Sequence, residues 1–374
     1  MTPGARLAAA MAILDDFLAG APAERSLTRW ARASRYAGSK DRAAVRDLVF
    51  DTLRRRRSCF WRSGQGQETG RALITGLLAD YGSGFEALGG SAHASPQLSD
   101  AEAAALRPLE AAPEAVRLDC PDALLPLFKE ALGGEYAASL AALRHRAIPQ
   151  LRVNTLKATR AEAIEALSEE DIATRATTGC ATALDVLTNP RRIAASEAYR
   201  TGRVELQDAA SQIAAAAAQA RPGQSVLDFC AGGGGKTLAL GAAMEGQGRL
   251  VAHDANPARM KDLPARAARA GLTVECLPPG AITGSFDLVF VDAPCSGSGA
   301  WRRQPEGKWI MTRDKLAGLA SLQARVLADA ARFLAPKGRL IYATCSVFPL
   351  ENQAVVEAFQ HAHPGVSVCS NTTL

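Results

Sequence analysis

Cys295 in "VDAPCSGSG" and Cys345 in "IYATCSVFP" are the residues of this chain best placed for covalent chemistry. A thiolate adds to an electron-poor ring carbon and leaves again, and cysteine is nucleophilic enough to do so near neutral pH. Each of the two closes an apolar run and opens a polar, turn-rich one, and Asp292 stands three residues before Cys295. Two thiols and a carboxylate at one crevice suit covalent catalysis, and residue type alone leaves the thiols interchangeable. Cys59, Cys120, Cys180, Cys276 and Cys369 lack such a setting and read as small core residues.

The second chemical element is "VLDFCAGGGGKTLAL", an apolar run followed by four glycines, Lys236 and Thr237. A triphosphate loop needs a glycine five residues before Gly235, and that position is Cys230. A dinucleotide fingerprint started at Gly232 or Gly233 ends on Thr237 or Leu238 instead of glycine. The strand, glycine loop and helix of a nucleotide-type site are therefore present without a phosphate pattern, which fits a ligand needing close backbone approach. Asp254 ends the next apolar run, nineteen residues after Gly235, near the spacing at which an acid holds ribose hydroxyls. Arg259, five residues on, is placed to cover the same ligand. "LVFVDAP" also suits the magnesium-binding acid of an ATPase, which keeps a triphosphate reading open as the alternative.

Positioning these groups requires a sheet. The runs "SVLDFC", "GRLVAHD", "TVECL", "DLVFVDA" and "GRLIYATCS" alternate with helical stretches, as in a parallel sheet with right-handed crossovers. Ligands bind beyond the carboxyl ends of such strands, and the strands carrying Cys295 and Cys345 are expected to be neighbours. Upstream, from Ala5 to about Arg57, apolar residues recur at helical spacing, as in Leu7, Met11, Leu14 and Leu18. Further helices are expected over 72–88 and 121–132, with a Gly/Ser/Ala-rich loop over 89–100. Leu151, Val153 and Thr155 alternate with Arg152 and Asn154 as in a strand, and a helix follows from Arg160. The expected organisation is a helical domain over 1–145, a small α+β subdomain over 146–205 and an α/β domain over 206–374.

The chain has 374 residues, 48% of them apolar and 22% charged, with a net charge of +5. That composition fits a globular protein of two or three domains, and so mild a charge does not by itself demand a nucleic-acid partner. Arg25, Arg29, Arg32, Arg35, Lys40, Arg42 and Arg46 lead into the run Arg54 to Arg57, either a solvated helix face or a footprint for RNA phosphates. Eight cysteines without CxxC pairs or His/Cys ligand spacing oppose a zinc site or a disulfide framework. The opening "MTPGARLAAAMAILDDFL" carries acids within its apolar part and is not a secretory signal, and no run approaches a membrane span. No metal and no membrane are expected, and a reducing cytoplasm is the expected location. No signal for an oligomer stands out.

"LDFCAGGGGKT", "VDAPCSGSGAWRRQPEGKW" and "IYATCSVFPLENQAVV" resemble, in order and spacing, the motifs of the Sun-family RNA (cytosine-5) methyltransferases. "VELQDAASQ" resembles the approach to their catalytic domain, "LRVNTLK" their small RNA-binding subdomain, and the N-terminal helices the antiterminator-like domain of the bacterial ribosomal RNA member. The resemblance implies a class I, Rossmann-like methyltransferase domain that uses S-adenosyl-L-methionine. Residues Cys230, Ala231, Gly232, Gly233, Gly234, Gly235 and Lys236 would line the cofactor, with Asp254 on its ribose, Arg259 over it, and Asp292 bordering cofactor and base. By the same resemblance Cys345 would attack carbon 6 of a cytosine, the methyl group would enter at carbon 5, and Cys295 would assist proton removal and RNA release. Asp292 would hydrogen-bond the ring nitrogen and the exocyclic amine, and the RNA, expected to be ribosomal, would be single-stranded or locally opened. Trp301, Arg302, Arg303, Lys308 and Trp309 are then candidates for base stacking and phosphate contact, with core packing the alternative for the tryptophans.

Three departures stand out. Relatives usually carry Ala-Pro where this chain has Gly232 and Gly233, an entropic cost on the order of 1 kcal/mol per added glycine. An acid that the family usually places near the adenine after the third strand is replaced by Pro278 and Pro279, and relatives normally continue from the position of "VSVCSNTTL" into a final antiparallel strand. Besides a methyltransferase, the sequence admits an inactive RNA-binding assembly factor, a P-loop-like ATPase, disfavoured by Cys230, and an amino-group methyltransferase, disfavoured by Cys295.

Overall fold

The structure, a computed structural model, describes residues 1–90 and 93–372. The chain divides into two compact units, the first of residues 1–147 with 296–316 and 345–348, the second of 148–295 with 317–344 and the segment from Pro349 onward.

The first unit is helical. Helices Pro3–Leu18, Ala23–Ala33, Ser39–Arg54, Arg56–Ser63 and Gly70–Tyr81 share a core of Leu7, Leu14, Val45, Val49, Leu53, Leu73 and Leu77. Phe17 rather than Leu18 completes the buried stripe of the first helix. Thr2 caps that helix, its hydroxyl accepting from the Ala5 amide at 3.2 Å. The helix expected over 72–88 ends at Tyr81, where Gly82 takes a φ of +67°. Of the loop expected over 89–100, residues 91–92 lie outside the described residues and Asp100 already opens a helix, Asp100–Ala105, capped reciprocally by Ser99 and Glu102. A second core joins Leu124, Phe128 and Leu140 to Trp301, Leu316 and Phe348.

The second unit holds two sheets. The smaller one is antiparallel, with β1 (Gln150–Val153), β2 (Thr174–Ala176), β3 (Ala183–Val186) and β4 (Val204–Leu206) in the order β2-β3-β1-β4, and helix Arg160–Ser168 packs on it. The strand expected to reach Thr155 stops at Val153 because Asn154 turns the chain. Its side-chain oxygen accepts from the Leu156 amide, while its amide nitrogen donates to the carbonyls of Gly202 and Ala270.

The larger sheet is wholly parallel. Its strands β5 (Ser225–Asp228), β6 (Arg249–His253), β7 (Glu275–Leu277), β8 (Phe286–Asp292) and β9 (Leu334–Ala343) run in the order β7-β6-β5-β8-β9. The two strands flanking β5 lead away in opposite directions, which makes its carboxyl end a topological switch point. The alternating pattern thus gives the α/β fold expected from the sequence, and the strands bearing the two cysteines are neighbours. β9 begins four residues earlier than its apolar run, and its register slips between Phe286↔Leu334 and Leu288↔Arg339, where Lys337 has a φ of +64°.

Candidate active site

β5 ends in Asp228, and a glycine loop carries the chain into helix Gly235–Ala243. Gly232 has a φ of +53°, and its N–H donates to Asp254 Oδ2 at 2.9 Å. Gly234 is the N-cap, with a φ of +83°, and a Cβ there would lie 2.2 Å from the Leu263 side chain. Gly233 accepts from Arg266, and a Cβ added to it would meet the same guanidinium at 3.2 Å. A Cβ on Gly235 would meet Gln207 Nε2 at an ordinary 3.6 Å, and the Ala231 N–H donates to the His253 carbonyl at 2.8 Å.

Asp254, just past the end of β6, is almost wholly buried. It accepts from the amides of Gly232 and Asn256, and Arg259 Nη1 lies 3.1 Å from its Oδ2. Arg259 itself is largely exposed, so it covers this carboxylate as a movable side chain. Lys236 reaches from the first turn of the helix to Asp292 at the end of β8, its Nζ 2.6 Å from Oδ2. Burial, together with the charges of Asp228 and Asp254, pushes the Cys230 thiol up to about 12, so this loop cysteine is held as a thiol.

Asp292 pairs in register with Ala343, and the Ala293 N–H extends the ladder to the Ala343 carbonyl at 2.9 Å. Cys295 follows Asp292 by three residues and is half-buried, while Cys345 follows Ala343 by two and is exposed. Pro278 and Pro279 follow β7, so no carboxylate stands directly after it.

Sequence reasoning missed several polar groups around the loop. Asp228 is fully buried and accepts from the Thr237 hydroxyl at 2.6 Å, while its Oδ1 has no partner. Burial raises its carboxyl to about 7, aided by the charge of Asp292 and opposed by the Thr237 hydrogen bond and Lys236. Both amide atoms of Gln207, buried beside Gly235, also lack partners. Gln323 and Glu351 are fully buried beyond the end of β8. Only the position of Asp228 at a strand end gave any signal in the sequence.

Other expectations are corrected. Trp301 is a core residue, 2% exposed, packed edge-on against Phe128 and donating its indole N–H to the Ser296 carbonyl. Lys308 is buried with its ammonium on the Arg54 carbonyl, and burial lowers it to about 8. Trp309 donates to the Leu53 carbonyl, and Arg302 to the carbonyls of His145 and Arg146. Stacking or phosphate contact is therefore closed to Trp301 and Lys308. The run Arg54 to Arg57 is equally committed, pairing in turn with Asp51, Asp80, Glu68 and Asp122. Arg25, Arg32, Arg35 and Lys40 remain exposed without a carboxylate partner among the described residues, with Tyr36 75% exposed among them. Of the cysteines read as core filler, Cys59, Cys120 and Cys180 are buried, whereas Cys276 is half-buried and Cys369 exposed.

Residues 215–373 match the family described as 16S rRNA methyltransferase RsmB/F, and residues 120–194 match its ferredoxin-like domain. The chain belongs to the RsmB/F family across these two regions. It is 32% identical over 254 residues to the probable ribosomal RNA small subunit methyltransferase B of Bacillus subtilis, covering 65% of this chain and 56% of that protein. It is 34% identical over 258 residues to the ribosomal RNA small subunit methyltransferase B of Vibrio cholerae, covering 67% and 59%. The chain thus spans under three fifths of the length of these curated relatives. The crystal structure of PH0851 shares the fold over 97% of this chain and 90% of its own, with a TM-score of 0.74 at 24% identity. The RsmB/F match includes β5 to β9, the glycine loop and both cysteine motifs.

Proposed function

We propose that this RsmB/F chain transfers a methyl group from S-adenosyl-L-methionine to carbon 5 of a cytosine in RNA, with small-subunit ribosomal RNA as substrate. The observation that carries the reading is the pair of cysteines following the carboxyl ends of adjacent parallel strands, beside an Asp292 that Lys236 holds at 2.6 Å. A cytoplasmic site of action follows from a ribosomal RNA substrate.

The residues present fit the cofactor. Asp228 Oδ1 and the Gln207 amide are buried without partners at the N-terminus of helix Gly235–Ala243, where a ligand's polar end would satisfy them. The Gly232–Gly235 backbone carries no side chains to block approach, and Asp254, once Arg259 swings aside, offers a carboxylate for ribose hydroxyls. When bound, S-adenosyl-L-methionine supplies an electrophilic methyl group. Cys345, as thiolate, would form a bond to carbon 6 of the cytosine, and carbon 5 would take the methyl group as the cofactor's sulfonium leaves as a neutral thioether. Cys295 then removes the carbon-5 proton, and the bond from carbon 6 to Cys345 breaks, returning the electron pair to sulfur. Asp292 would hydrogen-bond the ring nitrogen and the exocyclic amine as charge develops, with the Lys236 ammonium held 2.6 Å from its Oδ2.

Residues 1–145 and the subdomain over 146–205 would hold the RNA, with Arg25, Arg32, Arg35 and Lys40 meeting phosphates and Tyr36 offering a stacking face. The deciding experiment is transfer of labelled methyl to unmodified ribosomal RNA by wild type, Cys345→Ala and Cys295→Ala. Labelled cytosine with wild type, silence with Cys345→Ala and an accumulating protein–RNA adduct with Cys295→Ala are expected. A wild type that binds RNA and labels nothing overturns the proposal.

A further inference from the structure

The backbone ends that carry the two cysteines share one buried anchor. Gln323, on helix Arg313–Ala331, donates from Nε2 to the Pro294 carbonyl at 2.9 Å and to Glu351 Oε1 at 3.0 Å. Both neighbours are acceptors, so the amide must present its two N–H groups to them, and its own oxygen is left buried without a partner. An amide that accepts this desolvation loss is held for what its donors do. On the other side, the Tyr342 hydroxyl donates to the Glu351 carbonyl at 2.6 Å, and the Thr344 hydroxyl donates to Asn352 Oδ1 at 2.5 Å. Pro294 immediately precedes Cys295, and Thr344 immediately precedes Cys345. Burial raises the Tyr342 phenol well above its ordinary range, with Cys295 and then Glu351 adding to the effect, so the tyrosine lies in the electrostatic reach of both.

We propose that Glu351 and Asn352, through Gln323, Tyr342 and Thr344, are positioning residues that fix the backbone ahead of each cysteine from a single short segment. Their significance for catalysis rests on the cytosine-methylating reading above, but the anchoring itself does not. Glu351 and Gln323 are both 0% exposed, so neither is placed to touch RNA or cofactor. They act through hydrogen bonds that pin the ends of β8 and β9, which already pair in register up to Asp292↔Ala343. Small displacements of such supporting groups weaken a reaction by loosening geometry, without removing a reacting atom.

The test measures the reactivity of each thiol separately, by iodoacetamide labelling of the whole protein and peptide mass spectrometry, with Cys276 as internal reference. Gln323→Leu is expected to change the labelling rate of Cys295 by about threefold or more and to leave Cys345 near wild type. Thr344→Val is expected to do the reverse, and Glu351→Ala to move both. Should Glu351→Ala fail to fold, the first two variants decide the matter alone. Unchanged rates at Cys295 in Gln323→Leu and at Cys345 in Thr344→Val overturn the proposal, as does a Cys276 rate that rises in step with them, because general loosening would then explain everything. A wild type that fails to methylate RNA yet shows this pattern of thiol reactivity sinks the methyltransferase reading and leaves the anchor standing. Normal methylation with no such pattern does the opposite.

Discussion

The Thr237 hydroxyl donates to one oxygen of Asp228 at 2.6 Å, while the other oxygen, buried as deeply, has no partner. A carboxyl in that setting holds its proton, and its ordinary value near 3.8 rises to about 7, chiefly through burial. In the folded state Asp228 therefore binds a proton that the unfolded chain gives up. Its contribution to stability is fully present below about pH 3.8 and lost as pH rises through about 7.

The corresponding prediction is that Asp228→Asn, which keeps an acceptor for Thr237 but cannot ionise, flattens this part of the pH dependence. Urea unfolding midpoints of both proteins at pH 5 and pH 8 would show the variant gaining on wild type at the higher pH, by on the order of 3 kcal/mol at most. Parallel pH profiles for the two proteins would remove Asp228 as the titrating group.

Lys236 is the cation that faces Asp292. Lys236→Met keeps the length of the stem and removes the charge. Methyl transfer is expected to fall by roughly 10²-fold or more, because a preorganised charge beside developing charge is lost. The folding penalty should be small, since the pair is partly open to solvent. Single-turnover kinetics beside thermal melts would separate the two, and a variant with unchanged turnover would deny Lys236 its role.

Trp301 offers a contrast between packing and recognition. Its ring lies in the core with Phe128 and Phe348, so Trp301→Ala is expected to cost about 3–5 kcal/mol of stability through the cavity it leaves. RNA affinity of the fraction that stays folded should not change. A large loss of RNA affinity at unchanged stability would return this residue to the recognition surface.

Arg32→Glu combined with Arg35→Glu tests the exposed basic face. The double variant is expected to weaken RNA binding and to reduce the slope of log affinity against log salt by about one or two. Methyl transfer at saturating RNA should survive. An unchanged salt slope would mean that these cations are merely solvated.

The central strands β5, β6 and β8 were legible because strands buried on both faces read as short continuous apolar runs, and the apolar runs of the half-buried edge strands β7 and β9 became strands as well. Helix Arg160–Ser168 begins where it was expected, and the structure adds that Thr159 and Glu162, three apart, cap it reciprocally. Lys308 and the run Arg54 to Arg57 were misleading because charge in a sequence says nothing of which carboxylate will meet it. Each of those arginines found a carboxylate, and Lys308 was buried beside Arg54. Gln207, Gln323 and Glu351 were invisible for a related reason, because an amide or acid declares a supporting role only when its neighbours and its unmet atoms are known.

The glycine loop and the helical segments beyond Asp254 are fitted to one another. Arg259 and Arg266 occupy the volume that side chains at Gly232 and Gly233 would need, at 3.1 and 3.2 Å from the hypothetical Cβ atoms. Of the two, Arg266 is the more buried, and from more than thirty residues away it holds the Gly233 carbonyl, whereas Arg259 is free to move. Exchange at either end is then not independent. A bulkier residue at 233 displaces Arg266, and a shortened arginine at 266 removes the donor to the Gly233 carbonyl. Gly232 and Gly234, with φ of +53° and +83°, resist a side chain whatever stands at 259 and 266, whereas Gly233 is the loop position that a shift of Arg266 would open to a larger residue.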